Sequence, residues 1–459
     1  HVVDPLNGVN GVNDVAVEGG KIAAVGPDLT GPAREVIDVS GWVLQPGIID
    51  SHVHLGSMWG SPYGPRMLAM NGVTTCLDMA GPLDDILEKT PQYGAGLNTA
   101  ILQFASPPFT FKTNAPSKAE MVELIDKSLA EGALGVKLLV GHYPLTPEVS
   151  STLIKTALER RAYVAWHAGT SAHGSNLEGM IEAVQMADGY PLHLAHINAY
   201  CRGAIKNEID EARTAIELLN ANPNIFSESY ISPKNGTRLT CGPDGKIQSK
   251  VTGNCLRHFG FTEDRDGVRK ALLAHKAFAV YDAGGYSDLM TGEDAVKLWE
   301  SHNTDVGGSF NINPPIPRIL LAQVKRPDGA FVVDAISTDG GCIPRNVILS
   351  QGLSLVKLDV LTLAEFAQKT SLNPARMLRL TAKGHLSVGA DADITIYDYA
   401  TQTPKMSFVE GRKVLFKGEV LGKNANIICT ERGQKAIEAR GLKAIVVDPG
   451  LPVDRVKAL

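Results

Sequence analysis

The chain has 459 residues, 44% hydrophobic and 20% charged, with 46 Gly and 26 Pro spread along it. This is the composition of a large globular fold, and it excludes a small disulfide scaffold or a disordered chain. A net charge of −5 supplies no overall basic field for nucleic acid or an anionic membrane. Six cysteines without CxxC spacing fit free thiols in a reducing, cytoplasmic compartment. No apolar run approaches the roughly 18 residues of a membrane span. The sequence opens at His1 rather than Met, so a few further leading residues are expected.

Residues 1–45 alternate in period two, as in Val15-Ala16-Val17 and Ile22 to Val25, with Gly19-Gly20 and Gly26-Pro27 as turns. They read as short antiparallel strands. From Pro46 the pattern becomes buried apolar strands alternating with helical segments. Strands are expected at Ile48 to His52, Thr74 to Met79, Thr99 to Phe104, Gly135 to Val140, Tyr163 to His167, Pro191 to His196, Ile225 to Tyr230 and Val333 to Asp339. Eight such strands fit a (β/α)8 barrel over 46–382. The interval from His196 to Asp339 is far longer than its βα steps need, so an insertion is expected at about 231–275, either a lid over the barrel mouth or a solvated excursion. A single closing helix is expected at Leu363 to Leu380. Period-two alternation returns at Ile394 to Asp398 and Lys413 to Val420, so residues 383–459 are expected to complete the sheet begun by residues 1–45.

His52 and His54 flank Val53 at the end of an apolar strand, where residues i and i+2 share a face and barrel enzymes place their sites. Lys137 is a charge inside the apolar run Gly135 to Val140. A buried lone ammonium costs several kcal/mol, so Lys137 must be paired, deprotonated or chemically altered. Carboxylation by CO2 would make it an anionic oxygen donor; pairing with Asp78 is the alternative. His167 and His196 end consecutive strands one βα unit apart, and Lys137 precedes His167 by another unit. His193 faces differently and reads as a packing residue. Asp339 closes the last strand and can act as a base toward water; Asp282 is its rival.

The run Pro46-Gly47-Ile48-Ile49-Asp50-Ser51-His52-Val53-His54, then Gly72-Val73-Thr74-Thr75, Lys137, His167, His196, Asp339, Asn373-Pro374-Ala375-Arg376 and Gly389-Ala390-Asp391-Ala392-Asp393 resembles the amidohydrolase superfamily across nearly the whole chain. The resemblance implies an α/β fold, a distorted (β/α)8 TIM barrel with a small β-sandwich built from both termini. It implies two divalent metal ions, usually zinc. His52, His54 and Asp339 would hold the more buried ion and His167 and His196 the more exposed one, with Lys137 carboxylated on its amine nitrogen between them. Asp339 would then be the catalytic acid and base in hydrolysis of a C–N amide bond, in an N-acyl amino acid or a cyclic amide or ureide.

Departures from the family narrow this. Deaminases carry a Glu at the position held here by Thr170, and dihydroorotases an Arg at the position of Gly56. Hydantoinases carry a Tyr where His142 stands, with Tyr143 next. The segments from His167 to His196 and from Ser227 to Pro233 look most like N-acyl-D-amino-acid deacylases, yet the ligating Cys of those enzymes is replaced by Gly81. Arg66, His142, Tyr143, Asn198 and Tyr230 are candidate substrate contacts at the carboxyl-end loops, as are Trp59, Tyr63, Arg202 and Lys234. A ring-amidine deaminase and a non-catalytic scaffold are the competing readings, disfavoured by the missing Glu and by the complete ligand set. The expected partner is a small-molecule substrate, with no nucleic acid or membrane, and the protein is expected to be a homo-oligomer.

Overall fold

In a computed structural model of the chain, residues 1–450 are described; residues 451–459 of the expected terminal unit lie outside them. The barrel strands are β1 (Ile48–His54), β2 (Val73–Ala80), β3 (Ala95–Ala105), β4 (Gly135–Leu138), β5 (Tyr163–Trp166), β6 (Leu192–Leu194), β7 (Ile225–Tyr230) and β8 (Ala335–Ser337). Each is parallel to the next in chain order. The ring closes through the segment that carries Asp339. Ala335 to Ser337 pair with β7, and Gly340 and Gly341 pair with Val53 and His54 of β1. Burial on both faces explains the near-continuous apolar runs in sequence, since helices cover the outside and side chains fill the inside. The connecting helices start where their caps dictate. Ser117 and Glu120 form a capping box at Lys118–Glu131, and Thr146 caps Pro147–Glu159 with proline at its first position.

The two chain ends form a separate mixed sheet of seven strands. Val2–Asp4 lies parallel to Val43–Pro46, which lies antiparallel to Ile394–Asp398, followed by Thr403–Val409 and Arg412–Phe416. Its core gathers Val2, Ile22, Leu44, Leu386, Ile394, Ile396 and Met406 from both ends. Asn424–Cys429 goes elsewhere. It pairs with the amino-terminal half of the long strand β3, whose other half pairs with β4, so the barrel sheet branches there.

Between Tyr230 and Ala335 the chain leaves the barrel and builds its own four-stranded sheet from Thr237–Arg238, Gly307–Phe310, Ala277–Asp282 and Ser287–Met290. Three helices, Lys250–His258, Arg265–Leu273 and Glu293–Ser301, enclose a core that includes Leu256, Val268, Trp299 and Phe310. The region reaches back to the loop after β1, where the Tyr63 hydroxyl donates to Asp282 at 3.1 Å and the Ser61 and Ser287 hydroxyls lie 2.6 Å apart.

The closing helix is not continuous. Leu363–Ala367 is α-helical, Gln368–Leu372 is a π-helical turn, and Asn373–Met377 resumes the α form. Pro374 lacks an N–H and its ring would meet the carbonyl of residue 370, so the ladder widens just before it.

Candidate metal centre

The carboxyl ends of β1, β4, β5, β6 and β8 bring His52, His54, Lys137, His167, His196 and Asp339 into one cluster. His52, Lys137 and His196 are at most 2% exposed and His54 5%. The His54 Nε2 lies 2.9 Å from Asp339 Oδ1, and His52 Nε2 lies 3.3 Å from the same oxygen. One donor atom from each of these three residues falls within 4.8 Å of the other two, a group able to hold a metal ion. Beside it, His196 Nε2 is 2.8 Å from His167 Nδ1, and the His196 ring stacks on that of His52 with centroids 5.2 Å apart.

The protonation states suit metal binding. Burial, reinforced by the Lys137 charge, holds His52 well below its ordinary pKa, and burial does the same for His167 and His196. Burial brings His54 down to about 4 against the pull of Asp339. Neutral imidazoles offer lone pairs. Burial would raise the Asp339 carboxyl, but the Arg345 guanidinium, 2.7 Å from Oδ2, together with His52 and His54 outweighs it and keeps the group far below the usual carboxylate range. The Nε2 atoms of His52, His54 and His196 all face other members of the cluster, and the Nδ1 atoms of His54 and His196 are buried without a hydrogen-bond partner. This donor set of neutral nitrogens and carboxylate oxygen fits a divalent transition ion.

Lys137 is 1% exposed, and burial lowers its pKa. Its Nζ meets His52 Nε2 at 3.1 Å and Met79 O at 3.4 Å. The pairing with Asp78 does not form. Asp78 instead accepts the backbone N–H groups of Leu55, Ala80 and Gly81, which folds the loops around the barrel mouth. Asp282, the rival base, lies on the inserted sheet and binds the Tyr63 hydroxyl.

Two residues of the cluster hold backbone conformations that the sequence does not announce. His196 has φ +39° and Asp339 φ +51°, a region that costs a side-chain-bearing residue of order 1–3 kcal/mol. Gly341 is the companion device. Its φ is +74°, and a Cβ there would stand 2.5 Å from His54 O, so only glycine lets the segment after β8 close against β1.

Sequence reasoning passed over two supporting residues. Glu228 on β7 is fully buried; its Oε1 lies 2.6 Å from His52 Nδ1 and accepts the His196 backbone N–H at 2.6 Å, while Oε2 accepts the Ser337 hydroxyl. Arg345, in the loop after β8, holds Asp339 and lies over the Tyr230 ring at 4.8 Å. An acid in a buried strand was a legible signal for Glu228; nothing in spacing marks Arg345. Among the proposed substrate contacts, the His142 ring stands 4.4 Å from that of His167, and burial brings its pKa down to about 4. Tyr143 packs at the rim against Phe109, with ring centroids 5.1 Å apart. Trp59 lies on His54, centroids 4.2 Å apart. Asn198 and Tyr230 are buried together, the Tyr230 N–H donating to Asn198 Oδ1 at 3.0 Å. Arg66 is not brought in; it is exposed on the helix Gly64–Met70.

A ring of eight parallel strands with histidine, lysine and aspartate converging at its carboxyl end defines a metal-dependent barrel enzyme. The chain is similar to proteins of the amidohydrolase superfamily. A model described as Amidohydrolase family matches residues 354–421. A dihydroorotase of Geobacter metallireducens is 25% identical over 423 residues, covering 86% of this chain and 88% of that protein. An allantoinase of Deinococcus radiodurans is 26% identical over 469 residues, covering 92% and 94%. The crystal structure of an N-acyl-D-glutamate deacylase from Bordetella bronchiseptica superposes with a TM-score of 0.65 at 16% identity over 93% of this chain and 97% of that one, a likeness of fold.

Proposed function

We propose that the protein is a metal-dependent amidohydrolase that cleaves a C–N amide bond of a small molecule, either an N-acyl amino acid or a cyclic amide or ureide. The observation that carries this reading is the buried group of His52, His54, Lys137, His196 and Asp339, with the partly buried His167 against His196. The relatives named dihydroorotase and allantoinase and the fold named deacylase support the reaction type. Two divalent ions, zinc by family, would be held by His52, His54 and Asp339 on one side and His167 and His196 on the other, with carboxylated Lys137 between. When bound, such ions acidify water and polarise a carbonyl.

The chain's own residues supply the proton handling. Asp339, its pKa held well below the usual carboxylate range by Arg345, His52 and His54 against burial, is the carboxylate placed to take a proton from water and to return it to the leaving nitrogen. Arg345 keeps the carboxylate ionised and fixes its direction through Oδ2. Glu228 fixes the His52 ring. With the proton on Nδ1 facing Glu228, Nε2 presents a lone pair toward the centre. Burial lowers the Lys137 pKa, favouring the neutral amine that carboxylation needs. Six free cysteines accord with a cytoplasmic setting, and no helix among the described residues is long and apolar enough to cross a membrane.

Metal analysis with intact mass spectrometry tests this. Two ions per chain and a carboxylated Lys137 are expected, and Lys137→Ala is expected to lose metal and turnover together. A Lys137→Ala protein with full metal content and full turnover would remove the lysine from the mechanism.

A further inference from the structure

The hydrolase reading leaves the charge of the substrate open, and the wall beside the cluster bears on it. Arg202 follows β6, and its Nε donates to Asn313 Oδ1 at 2.7 Å while Nη2 donates to the Tyr230 hydroxyl at 2.8 Å. Both partners are neutral. A guanidinium has five N–H donors, and these two bonds leave the Nη1 and Nη2 edge with donors to spare. Among the described residues no carboxylate lies within ion-pair distance of Arg202, whereas the surface arginines Arg160, Arg161, Arg238 and Arg257 each have one.

The surroundings repeat the imbalance. Lys234 places Nζ 4.7 Å over the Phe278 ring, and Arg318 donates to the carbonyls of Ile231 and Pro314; neither has a carboxylate partner among the described residues. Asn313 joins the group by donating to the Lys234 carbonyl at 3.1 Å. Asn198, which accepts the Tyr230 N–H, keeps its buried Nδ2 without a partner. Three cations and a spare amide donor therefore share one scaffold, and among the described residues none of the three cations has an ion-pair partner. The scaffold borders the cluster, since the Tyr230 and His196 rings stand 6.4 Å apart.

We propose that Arg202 is a specificity-determining residue that binds a carboxylate of the substrate, with Lys234 as its long-range support, so that the protein acts on acids rather than on neutral cyclic ureides. The proposal rests on the amide-hydrolase reading above. Tyr230 and Asn313 hold the guanidinium flat, and its spare edge matches a carboxylate in a two-point contact. A neutral ring such as unsubstituted dihydrouracil would leave that edge desolvated and unpaired.

Matched pairs that differ only in the carboxylate test this: dihydroorotate against dihydrouracil, and an N-acetyl amino acid against its primary carboxamide. At least one acid is expected to be hydrolysed with kcat/KM ten-fold or more above its neutral partner. Arg202→Gln is expected to raise KM for the acid ten-fold or more and to narrow the preference, and Arg202→Lys to restore part of it. Equal or better turnover of the neutral members, or a preference that survives Arg202→Gln, overturns the proposal. Calorimetric titration of the same N-acetyl amino acids and dihydroorotate into the metal-loaded protein separates the two layers. Binding that weakens in Arg202→Gln without any hydrolysis upholds the carboxylate site and counts against the hydrolase reading. Binding that is absent, or unaffected by Arg202→Gln, overturns the site whatever the turnover.

Discussion

A metal-binding imidazole must offer one nitrogen and hold the other, and at His52 the holding partner is a carboxylate buried as deeply as the ring. Glu228 serves twice, because the same oxygen that faces His52 also accepts the backbone N–H of His196, a residue held at positive φ. Glu228→Gln can turn its amide oxygen to both donors and its NH2 to the Ser337 hydroxyl, but it loses the carboxylate charge that holds the proton on His52 Nδ1, which unsettles the His52 tautomer. Metal affinity is expected to fall about 10- to 100-fold, the range for such outer partners, as read by competition with a chromophoric chelator. An unchanged affinity would mean that packing alone fixes the ring. That these residues cluster was legible because histidines and a lysine at the ends of apolar strands violate the composition of those strands. Arg345 was not, since an arginine in a loop is ordinary until the fold carries it to 2.7 Å from Asp339.

At the scale of elements, strands read well and interruptions read poorly. Burial on both faces writes a strand into the sequence as an apolar run, so all eight barrel strands are visible to within a few residues. The inserted region is harder, because its short helices are set by local caps such as Ser249 and Asp264 and by a core assembled from distant segments. The closing helix hid its π turn for a related reason, since periodicity averages over a single widened turn. That turn buries Lys369 completely, its Nζ donating to Val333 O at 2.5 Å and lying 4.2 Å from the Phe331 ring. Burial brings its pKa down from 10.5 to about 7, against the pull of Asp334. The unfolded chain therefore binds more protons than the folded one between about pH 7 and 10.5, so this lysine destabilises the fold fully below pH 7 and less as pH rises through that window. Lys369→Met is expected to stabilise the protein at pH 6, with the gain shrinking toward pH 10. Urea midpoints of the two proteins across that range check it, and a pH-independent difference would show that Lys369 keeps its ordinary pKa in the folded state.

The whole molecule depends on joining the terminal sheet to the barrel at the end opposite the metal cluster. Alternation at both chain ends revealed that a split sheet exists, but not what welds it to the barrel. The weld is ionic. Lys383, with its side chain 2% exposed, places Nζ 2.8 Å from both Asp391 and Asp393. Asp393 in turn accepts from Asn98 of β3 at 2.7 Å and from the Glu410 backbone at 2.8 Å, and its carbonyl accepts the N–H of Gly47 just before β1. Burial opposes the charge on Lys383, yet the two aspartates hold its pKa above the ordinary value. Lys383→Met would leave Asp393 buried without its cation, and removal of one partner from such a pair costs about 3–5 kcal/mol. A large fall in the urea midpoint is expected, together with normal metal content in the protein that remains folded, because the ligands sit at the other end of the strands. A midpoint within error of the parent would mean that Asn98 and the backbone donors suffice for Asp393. Loss of metal in the folded fraction would mean that the two ends of the barrel are coupled through β1, which begins at this weld and ends at His54.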